Sequence, residues 1–151
     1  MTSIERALPS DRRAIEDLLE SAHLPLMGFG RALASSFVAR DNGRIVGCAG
    51  IEAYGSVGLL RSVCVEEERR GSGHGRQLVA ETESLAASLG IAELYLLTET
   101  ATEWFSHLGY ERAPREEAPP EITVSAEFAV ACPASAVMMR KRLAPPGCAA
   151  R

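Results

Sequence analysis

Leu59-Leu60-Arg61-Ser62-Val63-Cys64-Val65, then Glu66-Glu67-Glu68-Arg69, then Arg70-Gly71-Ser72-Gly73-His74-Gly75-Arg76 follow one another without a break. The first run is apolar and of strand length, the second is a charged connection, and the third is a glycine-punctuated turn. Beyond the turn, Leu78, Val79, Leu85, Ala86 and Leu89 fall on one helical stripe, and Gly90 stands where a helix ends on glycine. Strand, glycine turn and helix in that order aim several backbone N–H groups outward at the positive end of a helix dipole, a place that takes anions and phosphates above all. Glycine at 71, 73 and 75 removes Cβ atoms that would hold a ligand off those amides, and Arg70 and Arg76 add positive charge. A plain tight chain reversal is the other use of the same glycines.

Working outward, Ile91 to Thr98 is a second apolar run, so 59–65 and 91–98 should pair in parallel as a βαβ unit. Upstream, Phe37 to Arg40 and Arg44 to Ile51 read as strands joined by Asp41-Asn42-Gly43, a strong hairpin signal, and a glycine turn from Gly55 to Gly58 leads into the strand at 59. Ser3 to Ala7 alternates like a first strand. Pro9-Ser10-Asp11 opens a helix whose buried stripe is Ile15, Leu18 and Leu19. Residues 21–35, broken by Pro25, Gly28 and Gly30, form a loop with a helical stretch, placed to line a cleft. Downstream, Ala101 to Leu108 reads as a helix closed by Gly109, and Tyr110-Glu111-Arg112 starts a strand. The stretch 113–120 reads as an exposed loop, 122–132 as a short helix, 136–143 as a last strand and 144–151 as a tail.

The 151 residues suit one domain, 1–143, with a real core. A net charge of −4 leaves no nucleic-acid footprint, and no run approaches the length of a membrane span. With no signal-peptide core at the N-terminus, a cytoplasmic protein is expected. Cys48, Cys64, Cys132 and Cys148 lack paired metal-ligand spacing, so reduced structural thiols and no metal are expected.

Two phosphate motifs fail on the residues. A P-loop needs Lys followed by Ser or Thr after its last glycine, and the one lysine is Lys141; a dinucleotide fingerprint needs glycine where Arg76 stands. Arg-x-x-Gly-x-Gly, at Arg70, Gly73 and Gly75, between Val63-Cys64-Val65 and the helix, resembles the acetyl-CoA signature of the GNAT N-acetyltransferases. Ala101-x-x-Trp104-Phe105-x-x-Leu108-Gly109-Tyr110 resembles a second segment of that family, and the element order matches over nearly the whole chain. Leu59-Leu60-Arg61-Ser62, Leu96-Leu97-Thr98-Glu99-Thr100-Ala101 and Cys132-Pro133-Ala134-Ser135-Ala136 resemble the small arsenic-resistance N-acetyltransferases, themselves similar to the acetyltransferase domain of N-acetylglutamate synthases.

The resemblance implies an α/β (α+β) GNAT-type domain: a mixed, mostly antiparallel sheet with a central βαβ unit whose parallel strands, 59–65 and 91–98, splay. It implies acetyl-CoA as cosubstrate, its pyrophosphate on the turn of Arg70, Gly71, Ser72, Gly73, His74, Gly75 and Arg76 and its pantetheine arm along Val63, Cys64 and Val65. Thr98 and Phe105 border the cleft; for Thr98, capping of the next helix is the plainer role. The acceptor implied is a small-molecule amine, with no nucleic acid or membrane partner. Dimerisation is common in the superfamily, and no stretch here specifies an interface.

Phe105 stands where many family members carry a tyrosine that protonates the departing CoA thiolate; water, Ser106 or His107 are the substitutes in reach of the sequence. Glu52, at the end of the third strand, is the candidate base, or else a solvated strand-end glutamate. Arg61, a charge inside an apolar strand, is the candidate fork for an acceptor carboxylate, or else a structural ion pair. Ser62 points away from Arg61 in an ideal strand unless a bulge reverses it. A CoA-binding module without catalysis and a protein N-terminal acetyltransferase are the two other readings. An open peptide groove is needed for the latter, whereas the loops at 21–35 and 113–120 suit a small ligand.

Overall fold

Asn42 and Gly43 take φ of 52° and 81°, the left-handed pair that closes a two-residue hairpin. They join β2 (Ser36–Asp41) to β3 (Arg44–Tyr54), and β4 (Val57–Val65) continues the antiparallel run. The computed structural model describes residues 2–125, 128 and 134–144. Cys132, Cys148, the far part of the helix expected over 122–132 and all of the expected tail except Ala144 lie outside the described residues.

Among the described residues seven strands form one mixed sheet in the order β1-β2-β3-β4-β5-β7-β6, with β1 at Thr2–Arg6, β5 at Glu93–Thr98, β6 at Glu111–Arg112 and β7 at Val137–Arg142. All neighbours are antiparallel except β4 and β5. Helices α1 (Arg12–Ser21) and α2 (Phe29–Ala32) cover one face, where Ile15, Leu19 and Phe29 pack with Val38 and Cys48. Helices α3 (His74–Ser88) and α4 (Thr102–His107) cover the other, where Val79, Ala86 and Phe105 pack with Ile51, Leu60 and Leu96. A short α5 (Pro120–Thr123) seats Ile122 against Leu59, Tyr95 and Met138. The alternation along β2 and β3 is what sends Val38 and Cys48 to the α1 face and Phe37 and Ala49 to the α3 face.

Three sequence expectations are corrected. The turn before β4 is only Gly55-Ser56, because Gly58 already lies inside the strand. A Cβ on Gly58 would stand 3.0 Å from Ile91 and 3.1 Å from Leu94, so this glycine serves close packing where β4 meets β5. On α3, Leu89 is exposed and Thr82 is buried instead, its hydroxyl donating to the Leu78 carbonyl at 2.7 Å. Of the helix expected over 122–132, the described residues show Pro120–Thr123: it starts two residues early, because proline at the first helical position costs no hydrogen bond, and Val124 and Ser125 lie outside it.

Candidate active site

β4 and β5 pair in parallel only at Val57–Glu93, Gly58–Leu94 and Leu59–Tyr95. Beyond Leu59 the strands separate, and between them opens a cleft of ≈ 920 Å³, large for a small-molecule site. Its walls are Leu60 to Val65 of β4 and Leu96 to Thr98 of β5; one end is Arg70, Gly71, Gly73, Gly75 and Arg76, and the loop after α1 borders it through His23 to Pro25.

The glycine end is built as an anion cradle. Gly71 and Gly73 adopt φ of 84° and 92°, and α3 begins at His74, so the first amides of a fifteen-residue helix have no intrahelical acceptor and face this end. Gly75 is packed under Trp104: a Cβ there would lie 3.0 Å from the indole Cζ2. Among the described residues the cleft holds four arginines, 61, 69, 70 and 76, against one glutamate, Glu99. Arg61 and Arg69 are ion-paired with Glu52 and Asp41, so the positive charge offered at this cleft is that of Arg70 and Arg76 at its glycine end. Arg69 is tied to Asp41 at 2.6 Å and Arg70 donates from Nε to the Val65 carbonyl at 3.1 Å, which fixes the turn against β4.

Ser62 is a bulge. Cys48 pairs with Cys64 and Gly50 with Arg61, so Ala49 alone opposes two residues, and Ser62 takes a left-handed φ of 61°. Consecutive Arg61 and Ser62 therefore both border the cleft, with Arg61 Nε 3.3 Å from Ser62 Oγ. Arg61 is 2% exposed; its Nη1 donates to Glu52 Oε2 at 2.7 Å and to the Met27 carbonyl at 2.8 Å, and its Nη2 to the Pro25 carbonyl at 3.1 Å. Glu52 lies diagonally across the ladder, 1% exposed, and its other oxygen accepts from the Tyr54 hydroxyl. Burial, then this bond to a carboxylate, push the Tyr54 phenol up to about 12.

The structure thus brings Arg61, Val63, Cys64, Val65, Arg70, Gly71, Gly73, Gly75, Arg76, Thr98 and Phe105 onto one cleft. Glu52 is not on its wall: neither a solvated strand end nor an open carboxylate, it is sealed behind Arg61. Ser72 and His74 are not on the wall either; the Ser72 hydroxyl donates to Arg69 O at 2.5 Å and meets His74 Nδ1 at 2.7 Å, bracing the turn from outside. Ser106 and His107 are exposed on α4 away from the cleft, His107 Nδ1 lying 2.8 Å from the Glu103 carbonyl. Thr98 Oγ1 accepts from the Ala101 amide at 3.1 Å, which fixes the turn leading into α4; the expected cap is not made, since Ala101 precedes the helix and no side chain caps its first turn. Cys48 and Cys64 carry free thiols, both pushed up by burial. Phe105 is buried edge-on between Trp104 and Tyr110, whose hydroxyl donates to Glu83 at 2.8 Å.

Sequence reasoning did not single out His23 or Trp104. Trp104 was within a recognised motif, and its exposure beside Gly75 is a tertiary fact. His23 stands four residues past the last buried position of α1, in the loop expected to line a cleft, and carries φ of 60°.

Comparison with known proteins returns the acetyltransferase (GNAT) domain, matched over residues 32–112. An uncharacterized N-acetyltransferase of Chlorobaculum tepidum is 30% identical over 74% of this chain and 64% of its own length. An amino-acid acetyltransferase of Aeromonas salmonicida is 34% identical over 57% of this chain, which spans only 20% of that protein. The N-acetylglutamate synthase of Neisseria gonorrhoeae, solved with coenzyme A and N-acetyl-glutamate, superposes with a TM-score of 0.82 at 22% identity, over 95% of this chain and 35% of that one. At that identity the last likeness shows the fold.

Proposed function

Since the chain belongs to the acetyltransferase (GNAT) domain family, we propose that it is an acetyl-CoA-dependent N-acetyltransferase whose acceptor is the amine of a small molecule, an amino acid or a close analogue. The observation that carries the reading is the divergence of β4 from β5 after Leu59, with a glycine anion cradle at one end of the cleft and Arg61 and Ser62 on its wall.

The residues fit the cosubstrate. The amides of 71 to 76, with Arg70 and Arg76, take the pyrophosphate; the β4 edge at Val63, Cys64 and Val65 takes the amide-bearing arm; Phe105 and Thr98 bound the thioester region. Transfer proceeds by direct attack: the amine nitrogen forms a bond to the thioester carbonyl carbon, backbone N–H groups of β4 stabilise the oxyanion, and the C–S bond breaks. An ammonium must lose a proton before attack, and the leaving thiolate gains one.

The contacts of Glu52 suit a positioning role better than that of the base. It holds the guanidinium that binds the Pro25 and Met27 carbonyls, and so fixes the loop beside the cleft. The amino-acid acetyltransferase relatives support an acceptor that carries a carboxylate. The resemblance to arsenic-resistance acetyltransferases adds an arsenic-containing glutamate analogue to the acceptors worth testing.

Product mass spectrometry with acetyl-CoA and a panel of amino acids, arsenic and phosphinate analogues, polyamines and peptides tests the reading. An acetylated small amino acid is the expected product. Acetyl-CoA bound without any product would point to a non-catalytic CoA-binding module, the outcome that Phe105 makes worth seeking. Acetylation confined to peptide N-termini would make the chain a protein N-terminal acetyltransferase.

A further inference from the structure

Phe105 cannot hand a proton to a thiolate, and the substitutes legible in the sequence, Ser106 and His107, are on the outside of α4. Among the described residues His23 is the one histidine that lines the cleft, and it is exposed. Resting on the acetyl-transfer reading above, we infer that His23 is the acid–base group of the reaction: it takes the proton of the attacking amine nitrogen and returns it to the sulfur.

Three observations fix its backbone beside the cleft. His23 follows α1 at the position where helices ordinarily end on glycine: its N–H donates to the Glu20 carbonyl at 3.1 Å, and the Leu24 N–H reaches back to the Leu19 carbonyl at 3.0 Å. It holds φ of 60° there, a conformation that costs a side-chain-bearing residue and that concentrates at functional sites. The chain just beyond it is fixed by the buried Arg61 through the Pro25 and Met27 carbonyls, so the imidazole is presented from an anchored backbone. The anchoring residue neighbours Ser62, on the stretch of β4 that has left β5.

Starting from the neutral amine, whose ammonium form has already lost one proton to solvent, the step balances without another reactant. The nitrogen lone pair forms the N–C bond, the C–S pair leaves on sulfur, and the nitrogen's proton passes to the imidazole and then to the thiolate. The charged and titratable groups sharing the cleft with His23 are Arg61 and Cys64 from β4, Arg69, Arg70 and Arg76 from the turn, and Glu99 beyond β5.

His23→Asn is the test, because asparagine tolerates the left-handed backbone and keeps the helix end while removing the titrating ring. The expected result is a kcat lower by about 100-fold, the lower end of what a positioned acid–base group contributes, with the KM for acetyl-CoA unchanged and the imidazole limb lost from the pH–rate profile; Glu99→Gln keeps that limb. A His23→Asn enzyme with the wild-type kcat and pH profile would overturn the assignment while leaving acetyl transfer intact. A readout without turnover is the NMR titration of the His23 ring with CoA and with desulfo-CoA. A shift with CoA alone supports contact with the sulfur, and a ring that responds identically to both overturns it. Absence of product from the wild-type protein would instead sink the acetyl-transfer reading, and the NMR comparison would still judge the contact.

Discussion

The Arg61 guanidinium and the Glu52 carboxylate meet at 2.7 Å with side chains 0% and 1% exposed, one on each of two adjacent central strands. Removing Arg61 leaves the Glu52 carboxylate buried with the Tyr54 hydroxyl alone, and removing Glu52 takes a buried carboxylate from the guanidinium. Arg61→Ala or Glu52→Ala is therefore expected to destabilise the fold by roughly 3–5 kcal/mol, and Glu52→Gln by less because a neutral acceptor remains. Urea denaturation measures this. Limited proteolysis within 22–28 should rise in parallel, since Arg61 also binds the Pro25 and Met27 carbonyls.

Gly75 and Trp104 give a second expectation. An alanine at 75 would place its Cβ 3.0 Å from the indole and push the side chain that borders the cleft. Acetyl-CoA affinity should fall on the order of tenfold, equivalent to about 1.4 kcal/mol. As the chain's one tryptophan, Trp104 reports both the displacement and the titration by its own emission. Gly90→Ala is the control: φ of 87° makes it strained by about 1–2 kcal/mol, but it is not on the cleft, so stability falls and binding does not.

Gly50 lies against Ser36 where β2 crosses β3. An added Cβ would collide with the Ser36 hydroxyl, which donates to the Ala32 carbonyl at 2.7 Å. Gly50→Ala should cost about 1–3 kcal/mol by overpacking, read as a lower urea midpoint at unchanged slope, and Ser36→Gly in the same chain should recover part of it.

Tyr54 and Tyr95 contribute to the alkaline limb of stability alongside Tyr110, Cys48 and Cys64, all of which burial also pushes up. Tyr54 and Tyr95 are pushed up to about 12 from 10.0, in each case by burial and then by a hydrogen bond to a carboxylate, Glu52 or Glu93. Their folded values exceed the unfolded ones, so their contribution is complete below about pH 10 and is lost as pH rises to about 12. Tyr54→Phe should flatten that decline in thermal melts across the window. On the acid side, Arg40 holds the Asp11 carboxyl below 3.8, so this pair's contribution is present above that pH and lost as pH falls through the lowered value.

Local signals made most of the frame legible. Asn42-Gly43, the apolar runs at 59–65 and 91–98 and the glycines at 71, 73 and 75 specify strand pairing and turn geometry within a few residues of themselves, and the structure follows them. Leu89 misled because a stripe read from sequence does not say where the sheet beneath it ends; Thr82 could enter the core because its hydroxyl bonds its own helix. Glu52 and Arg61 were visible as odd charges in apolar strands. Their mutual capture was not, since it needs the β3–β4 register and the bulge at Ser62. His23 escaped because its place on the cleft depends on how α1 ends and on carbonyls two and four residues further along.

The most direct measurement is carbon NMR of [1-13C]acetyl-CoA incubated with the protein and L-glutamate, other amino acids and their arsenic analogues in turn. Acetyl transfer to an amine requires the thioester carbonyl resonance to be replaced by an amide carbonyl resonance, at a rate proportional to protein and about tenfold slower in Gly75→Ala at low acetyl-CoA. A thioester resonance that persists with every amine, or that decays only to free acetate, would contradict it.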